Sequence, residues 1–279
     1  MRLSTWLRHH LAALRALLVL TVLTGIAYPL VVTGIAQLPG LKGKANGSLI
    51  RNAAGTVVGS ALLGQSFVDG DGDPLPRYFQ SRPSAAGGGY DPTATSASNL
   101  GPESIVDSAG RQSLLTQVCA RSRAVGDLEG VNGARPFCTP DGVGAVLAVF
   151  ADHAVSVNQA CPATPFVQTY QGRPVECAEP GTDYAAGQIV PVRGDAPAQP
   201  AVPADAVTAS ASGLDPGIST AYARLQAPRV ARARGITVAE VLAMVAAETT
   251  SRTLGFMGEP SVNVLRLNLD LDREHPAPR

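Results

Sequence analysis

Residues 16–38 read ALLVLTVLTGIAYPLVVTGIAQL, 23 consecutive positions without a formal charge. At ~1.5 Å per helical residue they reach roughly 34 Å, enough to cross a hydrocarbon core of ~30 Å. Lipid offers the backbone no hydrogen bonds, so a helix is the single-segment structure that satisfies every amide there. Pro29 lies inside the stretch and predicts a kink, which lipid-embedded helices tolerate. The alternative is a cleaved secretory signal, for which GIA at 25–27 would be a weak cleavage site. Such a signal normally has an apolar run of only ~7–15 residues, so the length favours an anchor.

Charge is divided unevenly along the chain. Of 22 basic and 22 acidic residues, positions 1–68 hold six basic ones (Arg2, Arg8, Arg15, Lys42, Lys44, Arg51) and no acid. The remaining 211 residues hold 16 basic and 22 acidic, a net −6. No basic stripe rises above that background, which argues against a nucleic-acid partner. Basic residues flank both ends of the span, so charge bias alone does not orient it. Cysteine usage does. Cys119, Cys138, Cys161 and Cys177 all follow the span, with 18, 22 and 15 residues between them and no close pair. Tetrahedral zinc sites usually show close pairs. The spacing therefore favours two disulfides in an oxidising compartment over four free thiols, with three pairings open. The combined expectation is a cytoplasmic segment 1–15, a span at 16–38 and an extracytoplasmic remainder.

Beyond the span, residues 39–101 read as short strands and turns. Residues 48–51 and 56–58 are brief apolar stretches around the turn-like 52–55, and 61–63 and 67–68 follow. Residues 102–204 hold 11 of the 22 prolines and all four cysteines. They read as an insertion or subdomain of crosslinked loops, with a helix over 111–125 and an apolar run over 144–155. Residues 205–273 regain order, and 274–279 form a tail. Ser219 is placed to cap a helix running to about Arg234 and bent at Pro228. Thr237 and Glu240 fit a capping box for a helix that buries Val238, Val241, Leu242 and Val245 and stops near Gly255. Leu265, Leu267, Leu269 and Leu271 alternate with Arg266, Asn268, Asp270 and Asp272, the two-residue period of a half-buried strand. A bulge near 264–265 would join it to Val262 and Val264.

Tests for chemistry return little. The DGDGD loop at 69–73 lacks the glycine and glutamate that an EF-hand needs at its sixth and twelfth places, and reads as a solvated hairpin loop. No metal ligand set is expected. There is no G-x-S-x-G elbow, no S-x-x-K and no Walker A sequence. His153, the one histidine away from the termini, reads as an exposed loop residue. The small polar stretch TASASGLD at 208–215 could approach a ligand or another backbone closely. Arg224, Arg229, Arg232 and Arg234 make a basic helical face, expected to be solvated. These residues do not suggest an enzyme.

The ordered segments together resemble the KdpC family, the C subunits of the Kdp potassium-transporting ATPases. The matching stretches are GIAYPL at 25–30, ANGSLI at 45–50, GSALLGQSF at 59–67, YFQSRPSA at 78–85 and SNL at 98–100. VTASASGLD at 207–215, QAPRVARAR at 226–234, and GEPSVN at 258–263 with LNLDLD at 267–272 complete the set. The resemblance covers roughly 15–101 and 204–273. It leaves most of 102–203 without an inherited role, the family usually having a much shorter connection there. It implies an α+β extracytoplasmic domain behind one transmembrane helix, and no catalysis or cofactor of its own. The implied partners are the channel-like subunit KdpA, the P-type subunit KdpB, the small peptide subunit KdpF and the bilayer. K+ is the transported ion, and ATP enters through the P-type subunit, whose ATP affinity the C subunit raises as a catalytic chaperone. A nucleotide-related role carries over to Gln226, Ser210, Ser212 and Gly213. Motif or structural roles carry over to Asn46, Gly47, Ser48, Gly64, Gln65, Arg82, Pro83, Ser84, Asn99, Leu214, Asp215, Pro228, Arg229, Asn263 and Asn268. The topology drawn from the cysteines conflicts with nucleotide contact and makes Gln226 structural. A free-standing anchored extracellular binding protein is the alternative function.

Overall fold

The computed structural model describes residues 4–52, 54–95, 104–108 and 110–276; Asn99 lies outside them. The chain divides into two compact units, Met1–Ala61 and Leu62–Arg279.

In the first unit the apolar stretch is helical over Thr5–Ala36, 32 residues with none of its apolar window buried. Helix α1 (Thr5–Val22) begins where Ser4 accepts a hydrogen bond from the Leu7 amide. It passes through one π-helical turn, Leu23–Ala27, into α2 (Tyr28–Ala36), with Pro29 in the first turn of α2. A proline lacks the amide of a regular α-turn, and the wider turn before it accommodates that loss within a continuous helix. The short α3 (Lys42–Ala45) follows, then β1 (Leu49–Arg51) and β2 (Val57–Ser60), antiparallel around the expected turn.

The second unit is α+β. The stretches 61–63 and 67–68 form no strand, only an isolated bridge between Val68 and Pro74. Helix α4 (Leu114–Glu129) starts at the Ser113 cap and ends at Gly130, whose φ of +69° suits a residue without Cβ. The cysteine-bearing segment then departs from the expected loops. It folds into five strands, β3 (Val146–Val149), β4 (Ala154–Ala160), β5 (Thr169–Tyr170), β6 (Arg173–Ala178) and β7 (Gln188–Pro191), in the order β5-β6-β4-β3-β7. β4 and β6 run parallel and the other pairs antiparallel. Val146, Ala148, Val155 and Val157 build a core on one face, joined by Leu115 of α4; Leu147, Ala154 and Val175 build a core on the other. β4 is buried on both faces, its polar Ser156, Asn158 and Gln159 as well as its valines, so the alternation at 155–158 does not divide a wet face from a dry one. Disulfides join Cys119 to Cys138 and Cys161 to Cys177, one of the three open pairings.

The last part holds β8 (Gly217–Ser219), α5 (Thr220–Arg234), α6 (Val238–Ala247), β9 (Thr249–Thr250), β10 (Ser261–Asn263) and α7 (Val264–Glu274). β10 lies between β8 and β9, antiparallel to both. Ser219 caps α5, which continues through Pro228 to Arg234, and Thr237 with Glu240 forms the expected capping box. Val241 and Val245 of α6 are buried, but Val238 is exposed, and the helix ends at Ala247 rather than near Gly255.

The expected C-terminal strand is a helix. Asn263 accepts a hydrogen bond from the Arg266 amide, so β10 gives way to α7 where a bulge was expected. Val264, Leu265, Leu267, Asn268 and Leu271 are buried, a helical spacing that also contains three of the four alternating leucines. Four leucines two apart satisfied the strand pattern only because the buried face of α7 is wide. The helical core gathers Phe79, Ile218, Tyr222, Val230, Val241, Val262, Leu267 and Leu271, with Val118 and Val125 of α4 packed against it.

Candidate functional site

Residues 76–80 belong to no strand, yet the carbonyls of all five accept hydrogen bonds from side chains of α5 and α7. Asn268 treats Phe79 as a strand neighbour would: its Oδ1 accepts from the Phe79 amide and its Nδ2 donates to the Phe79 carbonyl, both at 2.9 Å. Gln226 does the same for Gln80, accepting from its amide at 2.6 Å and donating to its carbonyl at 3.1 Å. Both side chains are buried, Gln226 fully. Arg229 donates through Nη1 to the carbonyls of Pro76 and Tyr78 and through Nη2 to Oε1 of Gln226. Arg234 reaches the Arg77 carbonyl through Nε and Asp272 through Nη2, each at 2.8 Å. Asp272 in turn accepts from the Tyr78 hydroxyl.

This strap corrects the expected solvated basic face. Arg224 and Arg232 are exposed, but Arg229 and Arg234 are 7% and 4% exposed and point inward. Arg229 meets Glu129 of α4, Nε to Oε1 at 2.9 Å. Burial pushes the Glu129 carboxyl above the ordinary carboxylate range, and the Arg229 charge opposes the rise. Oε2 of Glu129 is buried with no hydrogen-bond partner among the described residues. Glu129 was invisible in the sequence, since nothing local marks the end of α4 as the partner of an arginine a hundred residues on.

The strap continues into a second seam against 208–215. Arg82 pairs with Asp215 at 3.1 Å and donates to the carbonyls of Thr208 and Ala209. Ser84 donates to the Gly213 carbonyl, Ser81 to that of Gln65, and the Gly64 amide to the Leu214 carbonyl. A Cβ at Gly64 would lie 2.2 Å from the Tyr90 ring, and one at Gly213, where φ is +72°, 2.8 Å from the Ala86 amide nitrogen. The small polar stretch thus approaches another backbone closely, one of its two expected uses. Ser210 and Ser212 accept hydrogen bonds from the Asp215 and Leu214 amides within their own turn.

Beside the seam lies a cleft of about 330 Å³, lined among others by Gln80, Arg82, Pro83, Tyr90, Arg121 and Tyr222. The hydrogen bonds of the Arg121 guanidinium go to the Val207 carbonyl and Gln117, both neutral, and burial lowers its pKa. Burial raises the Tyr90 and Tyr222 phenols, so both are protonated at neutral pH.

Other motif residues stand apart. Asn46, Gly47 and Ser48 belong to the first unit, where Gly47 and Ser48 have positive φ and their carbonyls accept from Ser60 and Ala61. Pro228 is exposed on α5 and Asn263 caps α7. Asp69 accepts from the Asp71 and Asp73 amides, closing the acidic loop on itself. No group of three metal-binding side chains occurs among the described residues. His153 stacks on Phe150 in the β3–β4 turn, beside Asp152.

The family model described as the K+-transporting ATPase c chain, KdpC, matches residues 10–127 and 183–273. A potassium-transporting ATPase KdpC subunit of Caulobacter vibrioides is 39% identical over 270 residues, 97% of this chain and 95% of its own. That of Myxococcus xanthus is 39% identical over 94% of this chain and 87% of its own. That of Mycobacterium bovis is 38% identical over 95% and 98%. The gap in the family model, 128–182, is narrower than the stretch the sequence left unassigned. These relatives align over nearly their whole length, so the much shorter connection expected of the family does not describe them.

Proposed function

The chain belongs to the KdpC family, the C chains of potassium-transporting ATPases, and from that premise we propose that it is the accessory, non-catalytic subunit of an ATP-driven potassium importer. It assembles with the channel-like KdpA, the P-type KdpB and the peptide KdpF, and raises the ATP affinity of the P-type subunit. The apolar helix Thr5–Ala36 is its single span. The observation that carries the orientation is that both disulfides lie after that helix, and such bonds persist in oxidising compartments. The N-terminus is then cytoplasmic and the second unit faces outside the cell membrane.

On that topology the ATP effect is indirect. Gln226 is fully buried and both its amide groups hold Gln80, so we assign it to the fold and not to nucleotide contact. The net −6 after residue 68 would mildly favour cations near the transport pathway. Neutralising several surface acids is expected to weaken apparent potassium affinity; an unchanged affinity contradicts this point. The proposal as a whole is tested by producing the tagged full chain with both large subunits and purifying it in mild detergent. Both large subunits are expected to accompany it. A chain that runs alone overturns the subunit reading and favours an anchored binding protein.

A further inference from the structure

Between β9 and β10 the chain turns through a small hairpin, in which Thr253 and Met257 exchange both backbone hydrogen bonds at 2.9 Å. Gly255 and Gly258, with φ of +81° and +79°, close the turn. At its tip Leu254, Phe256 and Met257 are 78%, 71% and 52% exposed. Leu254 also has φ +55°, a region that favours glycine or asparagine. Folding alone would place a small or polar residue there. Among the other described residues of the second unit no two exposed large apolar side chains lie within four positions of each other; here three do.

The charges show what kind of surface the tip fits. Residues 253–258 carry none, and the flanking Arg252 and Glu259 neutralise each other at 2.6 Å. An anionic headgroup layer would draw on free lysines and arginines and on interfacial Trp or Tyr, and the hairpin has none. The three side chains present on the order of 350 Å² of apolar surface, which is less than half of the ~800 Å² per partner of a self-sufficient interface. A second copy of this chain would not be held by so small a patch. It suits an auxiliary contact inside an assembly already secured elsewhere.

We propose that the 252–259 hairpin is a docking finger that buries Leu254, Phe256 and Met257 in an uncharged apolar groove on a large subunit of the same ATPase. The inference rests on the subunit reading above, and the test separates the two. The full chain is produced with its large subunits, as wild type and as the L254S/F256S/M257S variant. After a dilution and detergent challenge, at least about tenfold less large subunit is expected with the variant. In a second arm a benzophenone amino acid replaces Phe256 in the otherwise native chain, and a crosslink to a large subunit is expected. Retention equal to wild type, or crosslinks only to lipid or to another copy of this chain, overturns the finger. A wild-type chain that brings down no large subunit overturns the subunit reading instead.

Discussion

Residues 76–80 and residues 146–191 both need partners for buried backbone, and they find them differently. The strap at 76–80 has no neighbouring strand; Gln226, Asn268, Arg229 and Arg234 supply its hydrogen bonds from two helices. The five-stranded sheet satisfies itself through a backbone ladder, and two disulfides bound it. In the first region a few named side chains carry the structure, and the KdpC family model covers the strap and both helices. In the second almost any residue of suitable size maintains a ladder, and the family model omits most of it. The strap should therefore break under single substitutions, and the sheet under reduction.

The largest effect is expected from Arg229→Met. It strips two strap carbonyls and leaves Glu129, whose side chain is 1% exposed, without its counter-charge. Breaking one side of such a buried pair costs about 3–5 kcal/mol, readable by denaturant unfolding of the detergent-solubilised chain. Gln226→Leu comes next, with about 1–3 kcal/mol for each group of Gln80 left unsatisfied. A loss below 0.5 kcal/mol in either variant would mean that the strap is not held as described.

Replacing Cys161 and Cys177 by serine opens a crosslink of sequence separation 16, worth about 3 kcal/mol for a loop near that length. Hydrogen exchange should rise within the sheet first and leave 76–90 protected. Equal loss of protection in both regions would erase the distinction between them. The smallest effect concerns Glu248. Burial, then the hydrogen bond and charge of Asp270, raise its carboxyl above the ordinary 4.5. Its folded pKa exceeds its unfolded one, so its contribution is full below the unfolded value and is lost as pH rises through the folded value. Glu248→Gln is then expected to be slightly more stable than wild type at neutral pH, by less than about 0.5 kcal/mol. The difference should vanish in acid, as thermal melts across pH would register.

The same contrast explains what was legible in the sequence. The span, the hairpin at 48–60 and the caps at Ser219 and Thr237 were readable because length, turn chemistry and capping act over a few residues. The motif residues Arg82, Ser84, Gly213, Gln226 and Asn268 were found as motif members, but their convergence on one strap is a long-range fact that local pattern does not encode. The sheet is not legible because β3 and β4 are buried on both faces, polar residues included, while β5 is two residues long and β6 and β7 carry Pro174 and Pro191. The helix α7 was misread because its alternating leucines satisfy two periods at once, and only the Asn263 cap distinguishes them. Arg229 and Arg234 read as solvated in the sequence because their carboxylate partners lie far away in it, on α4 and α7.

The motif residues share one hydrogen-bonded seam, and in the function proposed above the chain affects ATP use without touching the nucleotide. The most direct test is the ATP dependence of potassium-stimulated hydrolysis by the purified complex carrying Gln226→Asn in this chain. The seam account predicts a lower yield of assembled complex, and an apparent KM for ATP equal to wild type in what assembles. A raised KM in complex assembled at full yield would place Gln226 at the nucleotide and contradict it.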